Sequence, residues 1–349
     1  MYVNEFIKHT YRVKDKETRG GYICLDMNEN PDGLPGDFVE EVLSKMTPTF
    51  LASYPDKKNL LHLIAQKENV NIENISLTNG SDEGMRLAFE TFTKPGSTLV
   101  TVAPTFEMYQ VYASMFGLHH EKVLFDDGFS IDVEQILSVI QPGVSIVVLL
   151  HPNSPIGVTF SENDFRRIIL AASEVGAVVL IDEAYYPFGT DTKIEYCKQY
   201  SNVLILRTFS KLCSLAALRV GYLVGDTEAI HFIENAQSTY NVNSVGILFA
   251  EELLKRDDIL KNLKENVDCG RNYLVSKLEE HRYCYFAKSG NYILIRPNLP
   301  SHELAQMLKE KRILVKTYKN GNLQEWIRVT LGSKEIMEVF WKCFCEIDL

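Results

Sequence analysis

NVLILRTFSKLCSLAALRVGYLVG, residues 202–225, holds two apolar runs (203–206 and 220–224) on either side of a polar centre. The first run has the length and aliphatic content of a buried strand. It leads into Arg207-Thr208-Phe209-Ser210-Lys211, and Arg219 follows eight residues after the lysine. A lysine enclosed by hydroxyls and apolar segments is ill suited to be a solvated surface charge. It suits an amine that must shed its proton to form a Schiff base, because desolvation and a nearby cation both lower a lysine pKa. Thr208, Ser210 and Arg219 offer hydroxyl and guanidinium donors of the kind that hold a phosphate. A Ser-Lys pair at a strand edge is more often structural, so this segment alone does not decide the chemistry.

Outward from this centre, strand-like runs at 75–78, 98–102, 144–150 and 177–181 alternate with helical patterns. The helices are expected after 79–84 (Met85, Ala88, Phe89 and Phe92 in period) and at 107–115, 132–140 and 162–174. Continuous apolar strands separated by helices imply a parallel sheet covered on both faces. Ligands in such sheets bind beyond the carboxyl ends of the strands. Four loops therefore bear on one cleft: Pro104-Thr105-Phe106, His151-Pro152-Asn153-Ser154-Pro155, Asp182-Glu183-Ala184-Tyr185 and Thr208 to Lys211. The segment Asn79-Gly80-Ser81-Asp82-Glu83-Gly84 has the residues of a helix start. Such a start is either a plain cap or a phosphate seat. In the second case Asp82 needs a specific hydrogen-bonding role, since a carboxylate otherwise repels phosphate.

The rest of the chain bounds the answer. Its 349 residues can bury a large core in two subdomains, and 46% hydrophobic with 23% charged residues is ordinary soluble globular composition. A net charge of -10 without a basic block argues against nucleic acid or an anionic membrane as the main partner. No stretch resembles a signal peptide or a membrane span. Seven scattered cysteines without C-x-x-C fit reduced thiols in a cytoplasmic protein. The pair His119-His120 stands outside any metal-binding pattern, so no metal site is expected. Neither G-x-G-x-x-G, nor a P-loop, nor G-x-S-x-G opens a helix.

Residues 1–24 read as an irregular polar arm, 25–35 as a turn-rich loop, and 37–46 and 60–68 as helices. Beyond 225, helical patterns cover 227–255 (interrupted near 241–244), 258–280, 301–311 and 333–346. Short strands at 292–296, 313–316 and 327–331 make this an α+β piece. The expected division is an arm and first helix (1–45) packing with the small domain, a large domain (46–240) and a small C-terminal domain (241–349).

Taken together, LDMNENP (25–31), SYPD (53–56), NGSDEG (79–84), APTF (103–106), HPNSPIG (151–157), DEAYYPF (182–188) and TFSKLCSLAALRVGY (208–222) resemble a known series. It is that of the fold-type I aminotransferases that use pyridoxal 5'-phosphate (PLP), in the histidinol-phosphate aminotransferase branch, and IRVTLGS (327–333) extends it. The resemblance implies an α/β, PLP-transferase type I fold, with a mostly parallel central sheet covered by helices and a smaller α+β domain. It makes Lys211 the Schiff-base and proton-shuttling lysine, Asp182 the partner of the pyridine nitrogen and Tyr185 the donor to the cofactor O3'. Phe106 becomes the stacking aromatic. Ser81, Asp82, Ser210, Arg219 and, less directly, Thr208 become the phosphate set. Tyr54 would reach the cofactor phosphate of a neighbouring subunit, implying a homodimer with shared active sites. Tyr11, Asn28, Lys316 and Arg328 would contact substrate, Arg328 through a bidentate fork on a carboxylate.

Two departures stand out. The family asparagine that contacts O3' immediately precedes the loop proline, where this chain has Ser154, so either that hydroxyl or Asn153 must serve. Lys316 stands where the family commonly has an arginine, offering a point charge in place of a planar fork. The function so implied is transfer of an amino group from an amino acid, with glutamate as the expected donor, to a small phosphorylated keto compound. Histidinol phosphate and imidazole acetol phosphate are the family default, and small phosphorylated ketones of polysaccharide synthesis are a second possibility. The alternatives are decarboxylation of an amino-acid O-phosphate and a PLP-binding regulator, the latter without its usual DNA-binding companion.

Overall fold

The computed structural model describes residues 1, 3–8, 10, 18–319 and 321–349. In chain order its strands are β1 (Ile23–Leu25), β2 (Ile75–Thr78), β3 (Thr98–Ala103), β4 (His119–Leu124), β5 (Val144–Leu150) and β6 (Val178–Asp182). There follow β7 (Val203–Thr208), β8 (Gly221–Gly225), β9 (Cys284–Phe286), β10 (Tyr292–Arg296), β11 (Ile313–Thr317) and β12 (Ile327–Thr330). They form a seven-stranded sheet, order β2-β8-β7-β6-β5-β3-β4, and a five-stranded sheet, order β1-β11-β12-β10-β9. In the larger sheet only β8 runs against its neighbours. The expected helix-covered, mostly parallel sheet is therefore present.

The apolar runs are continuous because both faces of that sheet are covered. Side chains along a strand alternate between faces. Val147 and Leu149 of β5, Val179 and Ile181 of β6, and Val203 and Ile205 of β7 enter one core, with Phe165, Ile168 and Ile169 of helix Glu162–Glu174. Ile146, Val148 and Leu150, with Leu180, Leu204 and Leu206, enter the other, with Met85, Leu87 and Phe89 of helix Gly80–Phe92. Each such side chain contributes roughly 1.5–3 kcal/mol when fully buried. The second core continues into the smaller sheet through Tyr292, Ile293, Ile295, Ile327 and Val329.

Among the elements that differ from expectation, three bear on how the sheets are built. Residues 23–25, read as the end of an irregular arm and the start of a turn-rich loop, form β1 and pair in parallel with Ile313, Leu314 and Val315. Three residues are too few to show a period. Residues 119–124, HHEKVL, form the edge strand β4, whose polar content suits an edge and hides it from a hydrophobic reading. There His120 bonds Thr101 and Gln110, and burial lowers its pKa to about 4. Lastly, the interruption expected near 241–244 in the helical region after Gly225 is present and is wider, running from Asn235 to Ser244. Asn243 caps the second helix through the Gly246 N–H at 2.7 Å. Asn241 reaches back to the Leu77 carbonyl and the Glu83 carboxylate.

In the small sheet's helical layer, Gly270 of helix Asp257–Glu280 lies against Gly332, and a β-carbon there would overlap the Gly332 carbonyl oxygen. Alanine favours a helix interior by about 1 kcal/mol over glycine, whereas overpacking a close backbone approach costs roughly 1–3 kcal/mol. Gly270→Ala is accordingly expected to lower the urea midpoint of unfolding; a midpoint equal to or above that of the parent protein would contradict this packing.

Candidate active site

β5, β6 and β7 are neighbours in parallel, so the loops that follow Leu150, Asp182 and Thr208 open on one edge of the sheet. Asp182 ends β6 between Leu150 and Leu206 and is 2% exposed. Its Oδ2 accepts the Tyr109 hydroxyl at 2.8 Å and its Oδ1 the Ala184 N–H at 3.0 Å. Burial pushes this carboxyl up to about 6, against the pull of those two donors, and the charges of Asp82 and Glu183 add to the rise. Among the described residues it makes no ion pair.

Tyr185 follows in the turn, and its hydroxyl accepts the Asn28 side-chain N–H at 2.9 Å. Asn28 is fully buried with φ +57, a conformation asparagine tolerates better than most residues. It is held by Thr330 of β12 and by Asn291. Burial alone would raise the Tyr185 pKa. The charges of Lys211 and Arg328, with hydrogen bonds from Ser154 and Asn28, outweigh it and set the phenol below its usual value. Lys211 lies beyond β7 with its Nζ 2.8 Å from the Met27 carbonyl oxygen and 5.8 Å from the centre of the Tyr185 ring. It is half-buried, not enclosed as expected, because Phe209 is the residue of this turn that enters the core.

Ser154 and Asn153 divide the two roles left open by the sequence. Asn153 is fully buried. Its Oδ1 accepts the Thr105 hydroxyl at 2.8 Å and its Nδ2 donates to the Pro104 carbonyl at 2.9 Å. Both ends of its amide are thus tied to the neighbouring loop, which corrects the idea that it turns into the cleft. Ser154 takes the inward position, its Oγ accepting Arg328 Nη1 at 3.1 Å. Arg328 Nη2 donates to the Asp26 carbonyl at 2.7 Å, and the guanidinium lies over the Tyr292 ring. Lys316 stands directly across from Arg328 in the β11–β12 pair, so the two cations share a face. The Lys316 Nζ is 4.0 Å from the Glu107 carboxylate.

The third part is an anion seat. Helix Gly80–Phe92 begins at the end of β2, and Gly80 has φ +75. A β-carbon on Gly80 would lie 2.5 Å from Arg219 Nη2, so the guanidinium lies against the start of the helix. Arg219 itself is left-handed (φ +54), and its Nη1 donates to Ser210 Oγ at 3.3 Å and to the Ala216 carbonyl at 3.0 Å. Thr208 and Ser210 hydroxyls are 2.9 Å apart. Ser81 is half-buried in the first turn, and Asp82 pairs with Arg219 at 3.6 Å, which gives it the specific partner its charge requires. Helix dipole, guanidinium and hydroxyls together favour a phosphate-sized anion.

Phe106 is 38% exposed and meets the Tyr109 ring edge-on, centroids 5.8 Å apart. Tyr54 is not brought into this cluster; it is 78% exposed and stacks on Tyr240 at 4.3 Å. Tyr11 lies outside the described residues. Sequence reading missed Tyr109, which looked like one more apolar position of a helix. It also missed the ion pair behind the cleft, where buried Arg207 donates from Nε to Glu183 at 2.7 Å and from Nη2 to Thr192 at 2.7 Å. Both residues adjoin singled-out positions, but only burial reveals them.

The family model described as aminotransferase class I and II matches residues 21–342. The chain is 31% identical over 324 residues to a histidinol-phosphate aminotransferase of Clostridium botulinum, covering 91% of this chain and 90% of the relative. Its structure is similar to that of a putative histidinol-phosphate aminotransferase from Erwinia carotovora atroseptica: TM-score 0.86, 23% identity, 96% and 98% of the two chains. It is also similar to the histidinol-phosphate aminotransferase of Sinorhizobium meliloti in complex with pyridoxal-5'-phosphate: TM-score 0.82, 18% identity, 93% and 90% of the two chains.

The raised pKa of Asp182 carries a stability consequence. The folded, cofactor-free protein binds this proton more tightly than the unfolded chain, at about 6 against 3.8. The contribution is therefore full below about pH 4 and lost as pH rises through about 6. A difference of about 2 units is roughly 3 kcal/mol. Cofactor-free Asp182→Asn is expected to be up to that much more stable than wild type in urea at pH 8, with the gap closing near pH 4. Equal stability at pH 8 would show that the carboxylate is not strained.

Proposed function

This chain belongs to the class I and II aminotransferases and is a PLP-dependent aminotransferase of the histidinol-phosphate aminotransferase type; we propose that it moves an amino group between glutamate and a small phosphorylated keto compound, with histidinol phosphate and imidazole acetol phosphate as the first pair to test. The observation that carries the assignment of the site is Asp182, a buried carboxylate without a cationic partner among the described residues, at the end of the strand beside the one that leads to Lys211. It fits a protonated ring nitrogen. The seat made by the helix start, Ser81, Thr208, Ser210 and Arg219 fits the cofactor phosphate, with Asp82 held by Arg219. Phe106 supplies an aromatic face for the ring.

When bound, PLP supplies an electron sink for cleavage of the substrate Cα–H bond. The chain's own groups do the rest. Lys211 Nζ carries the proton between the substrate α-carbon and the cofactor C4'. Tyr185, oriented by Asn28, donates to the cofactor O3'. Ser154 takes the place of the asparagine that the family sets against O3'; its bond to Arg328 would tie that position to the residue that grips a substrate carboxylate. Lys316, on the same face, receives the second anionic group, and a point charge there suits a small phosphate as well as a larger one. A role on small phosphorylated ketones of polysaccharide synthesis is thus part of the same reading, as is a contact of Tyr11 with the substrate phosphate.

We further infer a homodimer in which Tyr54 serves the partner's site, supported by the exposure of Tyr54 on its own subunit. A cytoplasmic location is supported by the unpaired cysteines. The presence of two sheets supports the division into 1–45, 46–240 and 241–349. Decarboxylation of an amino-acid O-phosphate loses support, since the relatives described above are aminotransferases.

The test is a half-reaction screen. The PLP-loaded protein is expected to change its visible absorbance with glutamate and with a phosphorylated amine, while Lys211→Ala folds but loses turnover by at least roughly a thousandfold. Carbon dioxide from phosphoserine or phosphothreonine, with no response to any amino donor, would reverse the reading. Residual transamination near the parent rate in Lys211→Ala would mean a different lysine.

A further inference from the structure

Tyr109 and Asp182 share a hydrogen bond that the chemistry above leaves unused. Tyr109 lies in the first turn of helix Met108–Met115, is 0% exposed, and donates its hydroxyl to Asp182 Oδ2 at 2.8 Å. Burial drives the phenol pKa well above its usual value, so this group stays a donor at any working pH. Its ring meets Phe106 at an interplanar angle of 87°. The other groups facing Asp182 are the Ala184 N–H and two acids, Asp82 and Glu183; Tyr185 and Asp82 also face Tyr109. Tyr109 is therefore, among the described residues, the one side-chain donor on that carboxylate.

A neutral donor is the chemically appropriate neighbour here. A lysine or arginine in its place would neutralise the carboxylate and compete with a cationic ligand. A hydroxyl favours the ionised form and leaves its charge free. We propose that Tyr109 is a positioning residue that keeps Asp182 ionised and aimed at the cofactor ring nitrogen, and that its edge contact with Phe106 makes the acid and the stacking aromatic one unit. This rests on the reading of Asp182 given above. A hydrogen bond to a charged group is strong enough to move a pKa by about one unit or more.

The test measures PLP affinity of wild type and Tyr109→Phe by equilibrium dialysis between pH 5.5 and 8.5. Binding a protonated ring requires the carboxylate form, so wherever Asp182 is protonated in the free protein a proton must leave on binding. Loss of the hydroxyl widens that range upward. The ratio of the two dissociation constants is expected to grow roughly tenfold from the alkaline to the acid end. Titration of PLP itself is common to both proteins and cancels. In an Asp182→Asn background the same comparison is expected to give a flat ratio. A flat ratio in the native background, or a sloping one in the Asp182→Asn background, overturns the proposal, because a merely structural tyrosine gives a loss independent of pH.

Should Tyr109→Phe fail to fold by circular dichroism, 3-fluorotyrosine placed at position 109 alone supplies a stronger donor of nearly the same shape. It is expected to tilt the ratio the opposite way, and no tilt overturns the proposal. Failure of wild type to bind PLP at all overturns the parent assignment, and is distinguishable from a flat ratio in a protein that binds.

Discussion

Two adjacent acids at the end of β6 are equally hidden from water and meet opposite fates. Glu183, 1% exposed, faces Arg207, which supplies a full positive charge and a 2.7 Å hydrogen bond. Asp182, 2% exposed, receives, among the described residues, only a phenol and a backbone N–H. Burying an ion costs several kcal/mol that only a counter-charge or a full set of donors offsets. Burial raises both pKa values, and the Arg207 charge opposes the rise at Glu183. The first pair joins the strand ends permanently. The second acid is left with its charge in reserve, and the rest of the cleft is arranged around that shortfall.

The cleft also depends on the smaller sheet. Asn28, in the loop after β1, is bonded to Thr330 of β12 and to Tyr185 of the larger sheet's turn. Arg328 of β12 bonds the Asp26 carbonyl and Ser154. The shared core that runs from Leu204 and Leu206 to Ile293 and Val329 gives these polar links a rigid support. Side chains thereby meet backbone groups about 300 residues away in the chain within hydrogen-bonding distance.

In the proposed reading, Ser154 on the cofactor side stands where the resemblance implies an asparagine, and Lys316 on the substrate side where it implies an arginine. Ser154 offers one donor fewer than an amide, and its oxygen accepts from Arg328. Lys316 is partly countered by Glu107. In that reading the lysine softens directional grip while keeping positive charge on the β11–β12 face. This favours selection by charge and size over selection by a planar fork.

The chain by itself determined the order of apolar strands and helices, because burial on both faces writes itself as unbroken Val, Ile and Leu runs. It also determined the strand-end positions of Asp182, Lys211 and the loops near them, since ligand sites in such sheets follow the carboxyl ends. Tertiary structure alone decided what periodicity cannot encode. It showed β1 and β4, one too short and one too polar to read, and it settled that Asn153 is tied to its neighbouring loop while Ser154 faces the cleft. It also revealed that Tyr109, an apolar position by spacing, carries its hydroxyl to Asp182. Pairings across a fold depend on three-dimensional distance, and no local pattern in the sequence records them.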